Sequence, residues 1–332
     1  MIKTRVAING YGRIGRNLFR LLLDHPEIEV VAINDIADKR TMSHLTKYDS
    51  IHGVLDRDVS FDENGILIGS THFAFLHEKE VKNIDWKKFE VDVVIESTGK
   101  YKTYEEINQH ILSGAKKVIL SAPSEVDQIK TVVLGVNDAI LDGSETIISN
   151  ASCTTNNAAP MIQIIDDLCG IEHAYITTVH SYTTDQSLHD QPHKDLRRAR
   201  GASQSIVPTT TGAAKALTKI FPAMEGKIGG SGIRVPVPDG SLTDITCYVR
   251  KEATITEINE AFKNAASGKF RGILAYTEDP IVSVDILGNR NSCLFDAQLT
   301  SVIGKMVKVV GWYDNEIGYS ARLVDLISLI RK

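Results

Sequence analysis

The stretch Ser149-Asn150-Ala151-Ser152-Cys153-Thr154-Thr155-Asn156 sets one cysteine among small hydroxyl-bearing residues. Residues 146–148 before it read as the end of a strand. After it Ala158, Met161, Ile162, Ile164, Ile165 and Leu168 recur at helical spacing. Cys153 therefore falls at a strand-to-helix junction. Unpaired backbone N–H groups and the positive end of the helix dipole favour an anion there. A thiol so placed is expected to ionise more easily, and the thiolate is its reactive form. His180 ends a later strand, in Thr178-Val179-His180-Ser181-Tyr182-Thr183. A Cys and a His in one cleft form an activated-thiol pair, the imidazole acting as base and then as acid. Position alone does not single out His180 among ten histidines. His52, His110 and His193 read as surface or structural.

Anion-binding chemistry clusters downstream. A long polar segment from Thr183 to Arg200 holds Arg197, Arg198 and Arg200. Pro208-Thr209-Thr210-Thr211-Gly212-Ala213-Ala214-Lys215 is a hydroxyl-rich turn opening a helix, and Arg234 follows in Gly232-Ile233-Arg234-Val235-Pro236. Arginines, threonine hydroxyls and a helix N-terminus are the usual parts of phosphate pockets. A solvated loop with charges of both signs is the alternative.

These groups need a scaffold, and the N-terminal third supplies its signature. A short strand at 4–9 runs into Gly10-Tyr11-Gly12-Arg13-Ile14-Gly15, and a helix follows with Ile14, Leu18, Leu21 and Leu22 on one face. A second strand at 29–34 ends in Asp35, about 20 residues beyond Gly15, where the dinucleotide fingerprint calls for an acid. The glycines allow a tight turn and close approach of the backbone to a pyrophosphate, which the helix N-terminus then holds. Asp35 would accept hydrogen bonds from ribose hydroxyls and repel a 2′-phosphate, so NAD is expected over NADP. Strands at 91–96, 117–121, 131–136 and 146–149 alternate with helical crossovers. Thr103 with Glu106 forms a capping box. That pattern gives an open, mostly parallel sheet whose ligands sit at the carboxyl ends of the strands, where Thr98, Ser121 and Cys153 lie.

The expected fold class is α/β: a Rossmann dinucleotide-binding domain plus an α+β catalytic domain with a mixed or antiparallel sheet. The second part is read from strands at 173–178, 241–251, 282–286, 292–297 and 305–313, and from a second capping box at Thr254 and Glu257. The expected boundaries are 1–150 for the cofactor domain, with a C-terminal helix 315–332 packing back on it, and 151–314 for the catalytic domain.

The 332 residues suit two domains. Apolar content of 42% and charged content of 24% are those of an ordinary soluble chain. A net charge of −5 argues against nucleic acid or an anionic membrane as partner. The four cysteines are scattered, without zinc spacing, which points to a reducing compartment and no metal. No signal peptide and no apolar run of about 20 residues is apparent, so a cytoplasmic protein is expected.

The assembled blocks resemble phosphorylating glyceraldehyde-3-phosphate dehydrogenase of the bacterial type. The matching residues are Ala7 to Arg16, Ser149 to Asn156, His180 to Thr183, Asp195 to Arg200, Thr209 to Lys215, Arg234-Val235-Pro236 and Trp312-Tyr313-Asp314-Asn315-Glu316. The resemblance implies oxidation of glyceraldehyde 3-phosphate with NAD and inorganic phosphate, in glycolysis or gluconeogenesis, through a cysteine thiohemiacetal and thioester. It implies Cys153 as nucleophile and His180 as base. It implies cofactor contacts from Gly10, Gly12, Arg13, Ile14, Gly15, Asp35, Lys79, Thr98, Ser121 and Asn315. Thr183 and Arg234, with Asp185 nearby, would bind the substrate's phosphate. Ser152, Thr154, Arg198, Thr211 and Gly212 would bind inorganic phosphate. It also implies a homotetramer, with the loop at about 182–204 beside a neighbouring subunit's cofactor. The sequence departs from the family pattern at Asn157, where a second Cys is common, and at Lys79, Gln191 and Ile317. Erythrose-4-phosphate dehydrogenase is a close rival, and a catalytically silent nucleotide-binding or redox-sensing protein a more distant one.

Overall fold

The computed structural model describes residues 3–331. Residues 1, 2 and 332, at the ends of the expected spans, lie outside the described residues. The chain divides into two compact units. One comprises Met1–Val132, Ala139–Ala151 and Ser320–Lys332, and the other Val133–Asp138 and Ser152–Tyr319.

The first unit is built on a nine-stranded sheet. Ile28–Asn34 and Thr71–Leu76 lie to one side of Thr4–Asn9; Val93–Glu96, Lys117–Leu120, Ile147–Ser149 and Lys130–Thr131 lie to the other. All these pairings are parallel. Strand order thus reverses between Thr4–Asn9 and Val93–Glu96, the switch point where such sheets bind ligands. Gly65–Ile68 and Val59–Phe61 extend one edge antiparallel. The middles of the central strands are apolar, because helices cover both faces of a parallel sheet; Ala7, Ile8, Val94, Ile95, Val118 and Ile119 are wholly buried. The Arg13–Leu22 helix buries Leu18, Phe19 and Leu22. The capping box at Thr103 and Glu106 opens the Tyr104–Leu112 helix.

The second unit has an eight-stranded mixed sheet. Ile171–Ser181 pairs parallel with Ile228–Val235 and antiparallel with Ser241–Val249, which in turn pairs antiparallel with Met306–Tyr313. Val207–Thr209, Cys293–Asp296, Leu274–Thr277 and Ser301–Ile303 complete it. Ser241–Val249 alternates buried and partly exposed residues, as a sheet with one packed face requires. The 17-residue helix Cys153–Cys169 packs on that face through Ala158, Met161, Ile162 and Ile165. Phe262, from the helix opened by the Thr254–Glu257 capping box, stacks on Phe295 with ring centroids 3.7 Å apart.

Two expected strands are not formed. Pairing at 131–136 stops after Thr131. Beyond it Asn137 Oδ1 accepts from Val133 N (2.8 Å) and Asp138 Oδ1 from Gly135 N (2.8 Å), so side chains turn the backbone away from a ladder. At 282–286 the chain makes a 3₁₀ turn, Ser283–Ile286, because Asp285 accepts from Val282 N at 2.7 Å.

Candidate active site

Sequence places Cys153 at the first residue of its helix, and local chemistry fixes it there. Ser152 is the N-cap, its hydroxyl accepting from Thr155 N at 3.1 Å. Ala151, one residue earlier, takes a positive φ of 55°. Such a backbone costs a non-glycine residue roughly 1–2 kcal/mol, and it stands two residues before the thiol. The Ile171–Ser181 strand carries His180, whose Nε2 is 3.5 Å from Cys153 Sγ. The parallel neighbour Ile228–Val235 sets Arg234 directly opposite His180. Ser181 O lies 2.8 Å from His180 Nδ1 and accepts from Arg234 at 2.9 Å. Nδ1 lies between two partners, the Ser181 carbonyl and the Arg234 Nη1 donor at 2.5 Å, and the tautomer that gives Nδ1–H to the carbonyl turns the Nε2 lone pair to the sulfur. The guanidinium charge beside the ring opposes a second proton on it.

Burial, then the Arg234 charge, drive His180 down from 6.5 to about 3. The imidazole is therefore neutral and able to take a proton across the physiological range. Burial pushes the Cys153 thiol up, although Arg234 and hydrogen bonds from Thr154 pull it back. This corrects the expectation of easy ionisation at a helix start: desolvation outweighs the local positive field. Both shifts favour a resting pair of thiol and neutral imidazole.

In the first unit the glycine turn has the shape a dinucleotide needs. Gly10 has φ of +95°, and a Cβ there would fall 2.6 Å from Thr98 N. A Cβ on Gly15 would fall 2.2 Å from Gly10 O, so only glycine lets this helix start pack on the turn. Gly12 caps the helix without a side chain, leaving its first N–H groups open to an anion. Ile14 is half-buried in the first turn. Asp35, just past its strand, accepts from Tyr11 N at 2.6 Å and Ala37 N at 2.8 Å, which holds its carboxylate beside the turn. Arg13 is paired with the buried carboxylate of Asp49 at 2.6 Å. Burial alone would raise Asp49, but Arg13 and the N–H groups of His52 and Ile51 hold it well below the carboxylate range. Thr98 and Ser121 lie one or two residues past their strands. Lys79 is exposed. The cradle and the acid fit a dinucleotide.

Compared with known proteins, the chain is 50% identical over 328 residues to a glyceraldehyde-3-phosphate dehydrogenase of Geobacillus stearothermophilus, covering 98% of each chain. It is 52% identical over 335 residues to one of Mycobacterium avium, covering 99% of this chain and 98% of that one. The chain belongs to the glyceraldehyde-3-phosphate dehydrogenase family. Residues 4–104 match the family's NAD binding domain and residues 152–315 its C-terminal domain. NAD is the cofactor. A relative from Bacillus subtilis, glyceraldehyde-3-phosphate dehydrogenase 1, is 48% identical over 330 residues.

The dehydrogenase's other expected site residues belong to the second unit. Arg198 donates to Thr209 Oγ1 (2.9 Å) and Asp185 (2.7 Å). Its charge is felt by both His180 and Arg234. Burial would raise Asp185, but Arg198 and His193 pull it lower. Thr183 and Thr211 are half-buried, and Thr211 Oγ1 accepts from Ala213 N at 3.2 Å. Gly212 caps the Ala213–Ile220 helix without a side chain. Asn315 receives the Ser181 and Ser241 hydroxyls on Oδ1, at 2.9 and 2.7 Å, so it presents Nδ2 as its donor. The Thr154 hydroxyl, expected to face phosphate, is buried and bonded to Tyr313 Oη at 2.9 Å.

Tyr313 itself was given no role by sequence reasoning. Its hydroxyl bridges Thr154 and Thr178 at 2.9 Å each, and its ring meets His180 edge-on at 5.9 Å. It pins the first turn of the cysteine helix to the histidine strand. The signal was its place in the Trp312 to Glu316 block, but only register shows that it points inward.

Proposed function

We propose that this chain converts D-glyceraldehyde 3-phosphate and inorganic phosphate to 1,3-bisphosphoglycerate with reduction of NAD. The observation that carries the reading is the neutral His180 held with Nε2 toward Cys153 Sγ, with two arginines acting on the same site. Sγ attacks the aldehyde carbon as Nε2 takes the thiol proton; the carbonyl π pair moves to oxygen. The Cys153 backbone N–H and the imidazolium stabilise that oxyanion, and His180 returns the proton to give a thiohemiacetal. NAD, when bound, supplies the hydride acceptor that makes the next oxidation possible. His180 takes the hydroxyl proton in that oxidation, and a thioester remains on Cys153. A phosphate oxygen then adds to the thioester carbonyl, the C–S bond breaks, and the sulfur recovers its proton from His180.

Thr183 and Arg234 bind the substrate's phosphate in this reading. Arg198, Ser152, Thr211 and Gly212 bind the inorganic phosphate, Thr154 contributing through its backbone since its hydroxyl serves Tyr313. Gly10, Gly12, Arg13, Ile14, Gly15, Asp35, Lys79, Thr98, Ser121 and Asn315 serve the cofactor. In this reading the cofactor domain is 1–150 together with the helix 315–332, and the catalytic domain is 151–314. Trapping tests the covalent step. With aldehyde and NAD but no phosphate, mass spectrometry should find an acyl group on Cys153 and none on Cys153→Ser. Acylation elsewhere would overturn the assignment.

A homotetramer is part of the proposal. Tyr175, Tyr248 and Met306 share one open face of the second sheet, each about half exposed, and Leu188 and Leu196 are exposed in the long loop. Four free thiols support a cytoplasmic setting. Among the described residues no helix is long and apolar enough to cross a membrane.

A further inference from the structure

We propose that Glu96 is a positioning residue for NAD, its buried carboxylate tying together the three strand ends that carry Gly10, Asp35 and Thr98. The proposal rests on the reading of this unit as the NAD binding domain and adds to it a residue that does not itself line the glycine turn.

Glu96 is the last residue of the Val93–Glu96 strand and is 1% exposed. Oε2 receives Asn9 Nδ2 at 2.5 Å and His110 Nε2 at 3.0 Å. Oε1 receives Thr98 N at 2.9 Å and Thr98 Oγ1 at 2.5 Å. Asn9 immediately precedes Gly10. Its Oδ1 accepts from Asn34 Nδ2 at 2.7 Å, and Asn34 immediately precedes Asp35. Asn34 Oδ1 in turn accepts from Glu78 N at 2.8 Å. One chain of hydrogen bonds therefore crosses the carboxyl edge of three adjacent strands at the switch point. The backbone repeats the linkage: Gly10 N donates to Asn34 O at 2.8 Å, and Ser97 Oγ to Gly10 O at 2.7 Å.

The far end of the chain fixes the direction of every bond. An indole N–H can only donate, and Trp86 Nε1 lies 3.1 Å from His110 Nδ1. Nδ1 must accept, so the ring carries its proton on Nε2 and donates to Glu96. All four partners of the carboxyl are then donors, which is what a carboxylate requires. A buried carboxylate without a cation is a poor choice for stability, since desolvation costs several kcal/mol and apolar replacements of such groups are often neutral or better. Its use lies in holding both loops of the switch point to one rigid anchor, sunk in the core by Trp86 and His110, both 0% exposed. Sites held from behind by such bonds bind in one geometry, and small displacements weaken them steeply.

The test is calorimetric titration of the full-length protein with NAD, alongside steady-state kinetics at saturating NAD and urea unfolding without NAD. In Glu96→Gln the amide nitrogen must face a donor in either orientation. The NAD dissociation constant is expected to rise by about tenfold or more, with kcat at saturation within about threefold of wild type. Adding Trp86→Phe frees His110 Nδ1 to carry the proton, so Nε2 can accept from the new amide; this double variant should recover part of the affinity. Lower urea stability with unchanged NAD affinity in Glu96→Gln would overturn the proposal, leaving Glu96 a merely structural group. If that variant does not fold, His110→Gln takes its place, with weaker NAD binding expected and unchanged binding overturning the idea. Failure of wild type to bind NAD would instead remove the cofactor reading beneath it.

Discussion

At the scale of single residues, the proposed reaction has Cys153 and His180 share one proton, and their surroundings decide where it rests. Replacing Cys153 with Ser should abolish turnover while NAD affinity by calorimetry stays within about twofold, because in the proposed reaction the thiol acts on substrate and other residues hold the cofactor. A matching loss of NAD affinity would contradict that division. His180→Gln should lower kcat by about 10²–10⁴-fold, the range for a lost general base. It should also change acid stability. His180 titrates at about 3 folded against an ordinary 6.5. Between these values the unfolded chain binds a proton that the folded chain refuses, so stability rises with pH across that window. One such group contributes at most about 1.4 kcal/mol per pH unit. Urea midpoints from pH 4 to 6.5, expected to rise less steeply in His180→Gln, check the sign. The two residue types and their strand-end positions were legible in the sequence. The resting state of the thiol was not, because ease of ionisation was read from the helix start, whereas burial depends on side chains that pack over Cys153 from distant segments.

At the scale of elements, what was legible is what local chemistry decides. Both capping boxes formed as spelled, since a Thr and a Glu three residues on satisfy one another without tertiary help. The glycine turn, its helix and Asp35 likewise depend on residues close in sequence. The strands expected at 131–136 and 282–286 failed because apolar composition says nothing of nearby Asn and Asp side chains that capture backbone N–H groups. The Tyr313 bridge was hidden for the opposite reason: it joins residues 154, 178 and 313 through sheet register. Tyr313→Phe should lower unfolding stability by about 1–3 kcal/mol, the cost of leaving buried hydroxyls without a partner. A lower urea midpoint at unchanged slope would register it. A midpoint equal to wild type would mean that the Thr154 and Thr178 hydroxyls find other partners.

At the scale of the whole molecule, the proposed reaction needs a cofactor domain that prefers NAD and a cysteine site served by two anion pockets. Asp35→Ala should narrow the ratio of NAD to NADP efficiency by about tenfold, through loss of the ribose acceptor and of the charge that repels a 2′-phosphate; an unchanged ratio would assign selection elsewhere. Sedimentation should find four copies of the chain associated, and a stable monomer would remove the role given to Tyr175, Tyr248 and Met306. The proposed reaction turns on phosphorolysis of a thioester on Cys153. Its most direct test is NADH formation from glyceraldehyde 3-phosphate and NAD, with and without inorganic phosphate, beside the same assay with erythrose 4-phosphate. Sustained turnover that requires phosphate and favours the triose is the predicted result. Turnover indifferent to phosphate, or faster on the four-carbon sugar, would contradict it, since the thioester would then pass to water and the second anion pocket would have no substrate.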